Sequence, residues 1–170
     1  ALWPETEALA EQGLAAFAFT AAFPYVVAPG GRTPIFGTNP MAFAWPRPGK
    51  HPMVFDQASS TMARGEIMIA ARDGHSVPYG AGIDRNGKDT TDPKAILDGG
   101  AQLAFGGYKG AALAMMVELL AGALIGDKLS FEAEEVDNGD GGPPVGGELI
   151  IAFDPARFGD GAGFAAHADL

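Results

Sequence analysis

The chain has no cysteine among its 170 residues, which leaves no disulfide scaffold and no thiolate metal site to consider. Positive charge is scarce: 11 lysines and arginines stand against 21 aspartates and glutamates, a net charge of −10. That balance argues against nucleic acid as a partner, although a local positive group can still hold an anionic small ligand. No Gly-x-Gly-x-x-Gly occurs, so a dinucleotide would be bound without the Rossmann fingerprint. The histidines, His51, His75 and His167, stand in turn-like or terminal contexts, no pair has helical metal-ligand spacing, and no metal is expected. The most apolar stretch is shorter than the ~20 residues of a bilayer span and carries Glu118 in its middle. With no signal peptide either, a cytoplasmic protein without a membrane partner is the expectation.

What is present is a globular composition, 47% hydrophobic and 19% charged, suited to one domain with a substantial core. The chain is organised around Phe105-Gly-Gly-Tyr-Lys-Gly110, running into an apolar stretch from Ala111 to Ile125 whose only charge is Glu118. An all-round apolar helix is a buried one, so this stretch is read as the central core helix. Its start has the makings of an anion site: free first-turn N–H groups, glycines that permit close approach, and the charge of Lys109. The plainer reading is a glycine turn beside a solvated lysine, and composition alone does not separate the two.

Along the chain, Pro4 to Gln12 reads as a short helix stopped by Gly13. Leu14–Thr20, Met41–Trp45, Met53–Phe55 and Glu148–Phe153 read as strands, the third of them buried. Pro24 to Gly31 reads as loop. Asp56 is placed to cap a helix leading into Ile67–Arg72, which closes at Asp73-Gly74. Asp84–Lys88 is a hairpin turn. The near P-loop at Gly82–Asp89 fails because Asp89 stands where a Ser or Thr would hold magnesium. Asp137 to Gly147 is a glycine- and proline-rich loop whose Asp137-Asn-Gly-Asp140 lacks the alternating ligands of an EF-hand.

Three motifs then converge. Gly37-Thr-Asn-Pro-Met-Ala-Phe43, Val54-Phe-Asp-Gln-Ala-Ser-Ser60 with Ala63-Arg-Gly65, and Phe105-Gly-Gly-Tyr-Lys-Gly110 have the order and spacing of the malate/L-lactate dehydrogenase-like oxidoreductases. The chain resembles most the Δ1-piperideine-2-carboxylate/Δ1-pyrroline-2-carboxylate reductase branch, also through Ala1–Pro4, Glu11–Leu14, Ala95–Gly100 and Met115–Leu120. The resemblance implies an α+β (α/β-like) fold, a mainly antiparallel sheet flanked by helices around the buried apolar helix. Residues 1–170 would be an NAD(P)-binding domain of non-Rossmann type within a longer chain. A Ser-His pair and a substrate-binding arginine would precede Ala1, and further cofactor contacts would follow Leu170.

Residue by residue, the resemblance implies cofactor contacts at Ala1, Leu2, Asp56, Gln57, Ala58, Tyr108 (where the family more often has histidine) and Lys109. Thr38 would meet the substrate; without the resemblance it reads as a turn hydroxyl bonding its own backbone. Glu66 stands where the imine-reducing branch has an acid completing a Ser-His-acid relay, and where the hydroxyacid dehydrogenases usually have lysine. Otherwise it is a surface glutamate entering a helix. The implied activity is NADPH- or NADH-dependent reduction of small cyclic imino acids to L-pipecolate or L-proline, in a homodimer. The alternatives are a 2-hydroxyacid (malate, lactate or ureidoglycolate) dehydrogenase of the same fold, or a non-catalytic cofactor-binding fragment.

Overall fold

Alanine decides how the first sheet is built. In the computed structural model, which describes residues 1–138, 147–159 and 163–167, β1 (Ala15–Thr20) pairs antiparallel with β4 (Met41–Trp45), matching Ala16 to Ala44 and Ala18 to Ala42. Successive side chains point to opposite faces, so these four fully buried alanines form one smooth face. Helix α1 (Trp3–Glu11) begins beside it, and Leu2 packs on Ala18 and Ala42. The opposite face carries a row of aromatics. Phe17 lies against Phe43 with ring centroids 4.6 Å apart, and Phe43 against Phe55 of β5 (Met53–Gln57) at 5.6 Å. The strand order is β5-β4-β1-β9, with β9 at Glu148–Phe153. As the edge strand, β5 is more open than its apolar residues predict: Met53 is 45% exposed and Phe55 39%. A 3-10 turn at Pro155–Arg157 and helix α5 (Phe164–His167) follow β9. These elements form one compact unit, residues 1–19, 40–57 and the described part of 148–170.

The second unit spans residues 20–39 and the described part of 58–147. Its sheet has the order β3-β2-β8-β6-β7, from β2 (Val26–Val27), β3 (Pro34–Phe36), β6 (Gly82–Ile83), β7 (Asp89–Thr90) and β8 (Ala101–Gln102). All its pairs are antiparallel except β2 with β8. β2 lies inside the segment expected to be loop, and two-residue strands leave no period to read. The Asp84–Lys88 turn joins β6 to β7 as expected, with the Asp84 carboxylate accepting from Asn86 N and Lys88 N. The structure is therefore α+β with mainly antiparallel pairing.

Helices α2 (Arg64–Asp73) and α3 (Pro93–Leu97) enclose a core of Ile67, Ala70, Val77, Ala81 and Ile96. Ile67 and Ile96 have no exposed surface, and burying such a side chain stabilises by about 1.5–3 kcal/mol. Asp56 does cap a helix, but not this one: its carboxylate accepts from Leu2 N at 2.6 Å and Trp3 N at 3.0 Å. It therefore serves the positive end of α1. Helix α2 starts from Ala63 without a side-chain cap and ends on Gly74, whose φ of 74° is the left-handed C-terminal conformation.

Helix α4 (Tyr108–Ala121) is the expected apolar helix with one correction. Its inner side is Gly110, Ala111, Ala114, Val117, Glu118 and Ala121, spaced at three and four residues. Its outer side is equally apolar yet open among the described residues, with Tyr108 72%, Met115 54% and Leu119 56% exposed. A helix apolar on every side carries no moment to announce which face is inside. It breaks at Gly122 into a 3-10 turn over Ala123–Ile125. A further 3-10 segment, Ser130–Val136, follows. Most of the Asp137–Gly147 loop lies outside the described residues.

Candidate functional site

The glycine loop is shaped by backbone that other residues avoid. Gly106 and Gly107 have φ of 56° and 62°, values that cost a side-chain-bearing residue energy but not glycine. Gly110 has negative φ and is needed for another reason. A Cβ there would meet Phe105 O at 2.5 Å and Ser59 O at 2.6 Å, so α4 starts in direct backbone contact with the segment after β5.

The first-turn amides are less free than the sequence suggests. Lys109 N donates to Gly106 O, Gly110 N to Phe105 O and Ala111 N to Gly107 O. The side chains of Tyr108 and Lys109 are both exposed and without a side-chain partner among the described residues. Beneath the loop lies a cavity of about 370 Å³ walled by Val27, Pro29, Thr61, Gly80, Leu103, Ala104, Gly106 and Gly107. The cleft itself is apolar, and Lys109 lies two residues along the chain from Gly107 in its wall; apolar walls suit a ring-like ligand part. A larger cavity, about 650 Å³ between Ala10–Gly13 and Pro46–Pro52, touches none of the candidate residues. The glycine-loop cleft is the better candidate because its wall includes the loop that leads directly into Tyr108 and Lys109.

Thr38 belongs to the same unit and is tied to the same backbone. Its carbonyl accepts from Ser59 N at 2.8 Å and Ser59 Oγ at 2.9 Å, and Ser59 O accepts from Phe105 N at 3.0 Å. The half-buried Thr38 thus sits one residue, Ser59, from the glycine loop. Its hydroxyl, read from sequence as a possible partner of its own turn, has no hydrogen bond among the described residues. Ala58 lies beside Ser59, half-buried.

Glu66 stands in the first turn of α2, exposed, its carboxylate unpaired among the described residues. Two residues earlier, Arg64 lies over the Tyr25 ring, 4.1 Å from its centroid. Burial pulls the Arg64 guanidinium below its ordinary value, with Tyr25 working the other way. In the other unit, Ala1 is exposed, Leu2 buried, and Asp56 joined to Leu2 N; Gln57 is exposed at the end of β5. The predicted residues therefore gather in two sets: Ala1, Leu2, Asp56 and Gln57 in one unit, and Thr38, Ala58, Glu66, Tyr108 and Lys109 in the other.

The sequence reading passed over Ser59, Arg64 and the partners of Glu118. For Glu118 there was a signal, a lone acid inside an apolar helix, and burial of such a group demands hydrogen-bond partners. The three histidines are exposed as expected, and among the described residues no cluster of acids and histidines is arranged to hold a metal.

Comparison with known proteins bears on the family and the fold. The chain matches the malate/L-lactate dehydrogenase family over residues 1–170. A Δ1-pyrroline-2-carboxylate/Δ1-piperideine-2-carboxylate reductase of Pseudomonas aeruginosa is 57% identical over 157 residues, 92% of this chain and 47% of that protein. The solved Δ1-piperideine-2-carboxylate reductase of Pseudomonas syringae pv. tomato superposes with a TM-score of 0.93 at 50% identity, over 99% of this chain and 51% of that one. Sulfolactate dehydrogenase of Methanocaldococcus jannaschii superposes with a TM-score of 0.81 at 32% identity, over 96% of this chain and 46% of that one. The chain thus spans about half the length of these relatives. On the match along its whole length and the shared fold, it belongs to the malate/L-lactate dehydrogenase family.

Proposed function

We propose that this chain forms the cofactor-binding part of an NAD(P)H-dependent reductase of small cyclic imino acids, Δ1-pyrroline-2-carboxylate and Δ1-piperideine-2-carboxylate, acting as a homodimer. The observation that carries the reading is the 57% identity to a relative bearing that name, against 32% to a sulfolactate dehydrogenase of the same fold. Glu66 adds to it, as an unpaired acid where a hydroxyacid dehydrogenase would have lysine.

The residues fit a nicotinamide dinucleotide. The Lys109 ammonium is the charge for a phosphate, Gly106 and Gly107 let backbone approach closely, and the apolar cleft walls suit a ring. When bound, the cofactor supplies the hydride; the protein binds, orients and manages the proton. Lys109 anchors, Thr38 offers an unused hydroxyl to the substrate, and Glu66 orients a histidine from outside this segment and favours its protonated form. That histidine would deliver a proton to the imine nitrogen.

The test is an assay of the complete enzyme with cyclic imines and with 2-oxoacids, each with NADPH and NADH. Imine turnover is expected, and the ratio of the two cofactors decides between them. Turnover of 2-oxoacids without imines would overturn the reading in favour of a hydroxyacid dehydrogenase.

A further inference from the structure

Glu118 is the only charged residue in the second half of α4 and is 5% exposed. Its Oε1 accepts from Asn39 Nδ2 at 2.7 Å and, at a longer 3.4 Å, from Gly37 N; its Oε2 accepts from Ser130 N at 2.7 Å. Asn39 is wholly buried, and its amide also donates to Ala114 O at 3.0 Å. Its φ of 41° is the only positive value at a non-glycine among the described residues, a conformation asparagine tolerates better than most. Gly37 cannot carry a side chain, because a Cβ would collide with Asn39 Oδ1 and lie 2.8 Å from Ala22 O.

The residues on both sides of Thr38 are therefore tied to one buried carboxylate, while the Thr38 carbonyl is tied to Ser59. The backbone of this residue is held from three directions, and its hydroxyl is left unbound. Burying a carboxylate is costly even when it is paired, and an apolar residue packs a helix face more cheaply. Two of Glu118's three donors come from the two neighbours of Thr38, which marks that loop as what it holds.

We propose that Glu118 is a positioning residue for the substrate: through Gly37 and Asn39 it fixes the Thr38 hydroxyl in its binding orientation. The proposal rests on the reading of Thr38 as a substrate contact. Glutamine cannot replace Glu118 in this role. Three donors converge on its two oxygens, and an amide would turn its own N–H groups toward at least one of them.

The test is a double-mutant cycle in the complete enzyme, with Glu118→Gln, Thr38→Ala and both together. KM for the cyclic imine, kcat, cofactor dissociation constant and melting temperature are measured for each. Glu118→Gln should raise imine KM about tenfold while cofactor affinity stays within about twofold. In the Thr38→Ala background the same change should raise KM by less than about threefold, because the two act as one unit. If Glu118→Gln does not fold, Asn39→Gly takes its place in the cycle, since glycine keeps the left-handed backbone and removes only the amide. Independent, multiplicative effects on KM would overturn the proposal while leaving Thr38 a substrate contact. Equal losses of imine and cofactor affinity would also overturn it, in favour of a general structural role. A Thr38→Ala enzyme with wild-type KM would overturn the reading of Thr38 itself, and the positioning role with it.

Discussion

Gly110→Ala sets two opposing effects against each other, and the structure decides between them. Alanine is the better helix former by ~1 kcal/mol in a helix interior, and less in a first turn. Against this, the new Cβ would sit 2.5 Å from Phe105 O, 2.6 Å from Ser59 O and 2.8 Å from Phe105 N, where an unstrained contact needs roughly 3.5 Å. Backbone atoms cannot rotate away like a side-chain tip, so α4 must retreat by about 1 Å or the loop must open. Overpacking of this kind costs roughly 1–3 kcal/mol. The net expectation is destabilisation by about 1–2 kcal/mol, a fall in melting temperature of about 2–8 °C for a domain of this size. The retreat should also disturb function, since Ser59 links the glycine loop to Thr38. Thermal unfolding and a cofactor titration of the complete enzyme check both points. A melting temperature equal to or above wild type, with unchanged cofactor affinity, would refute the claim that α4 starts in enforced contact with Ser59.

Lys109→Ala should weaken cofactor binding about tenfold to a hundredfold, the worth of a lost charge-assisted hydrogen bond, with a smaller effect on imine affinity; direct titration checks this. Glu66→Gln should leave fold and cofactor affinity intact and lower kcat and kcat/KM together. On the proposed role, the carboxylate would raise the pKa of a histidine it orients, so the variant's pH–rate profile should shift to lower pH, and Glu66→Lys should harm imine reduction more. Three overlaying profiles would make Glu66 an ordinary surface acid. Asp84 is held below the ordinary carboxylate value, first by its backbone hydrogen bond from Lys88. A depressed value means that its stabilising effect is present above the unfolded value of ~3.9 and is lost as pH falls through the lower folded value. The difference in melting temperature between wild type and Asp84→Ala should therefore persist at neutral pH and close in strong acid.

Elements with their own local signal were legible. Met41–Trp45 and Glu148–Phe153 are strands with the expected bounds, and the turn at Asp84–Lys88 follows from Asn-Gly chemistry. The alanines of β1, which weaken it as a strand, make sense only once Ala16 and Ala18 are seen opposite Ala44 and Ala42. Asp56 was legible as a cap but not as the cap of α1, because its partners Leu2 and Trp3 lie 54 and 53 residues away. The same distance problem hid the role of Glu118, whose partners Gly37 and Asn39 lie 81 and 79 residues away. Of the candidate site, the glycine loop was visible as a place where backbone must come close. That Ser59 is what it approaches, and that carbonyls already accept from the Lys109, Gly110 and Ala111 amides, depends on the fold.

The Asn39–Glu118 pair also restricts how this sequence can drift. A lineage that replaces Glu118 with an apolar residue strands the N–H groups of Gly37 and Ser130, at about 1–3 kcal/mol for each buried donor, and leaves the Asn39 amide with Ala114 O alone. One that changes Asn39 first must accept a strained backbone unless it passes through glycine, and even then leaves the acid short of a partner. Single steps away from this arrangement run uphill, while a joint replacement can land on a new packing. Positions 39 and 118, far apart in the chain, should therefore change hands together or stay put.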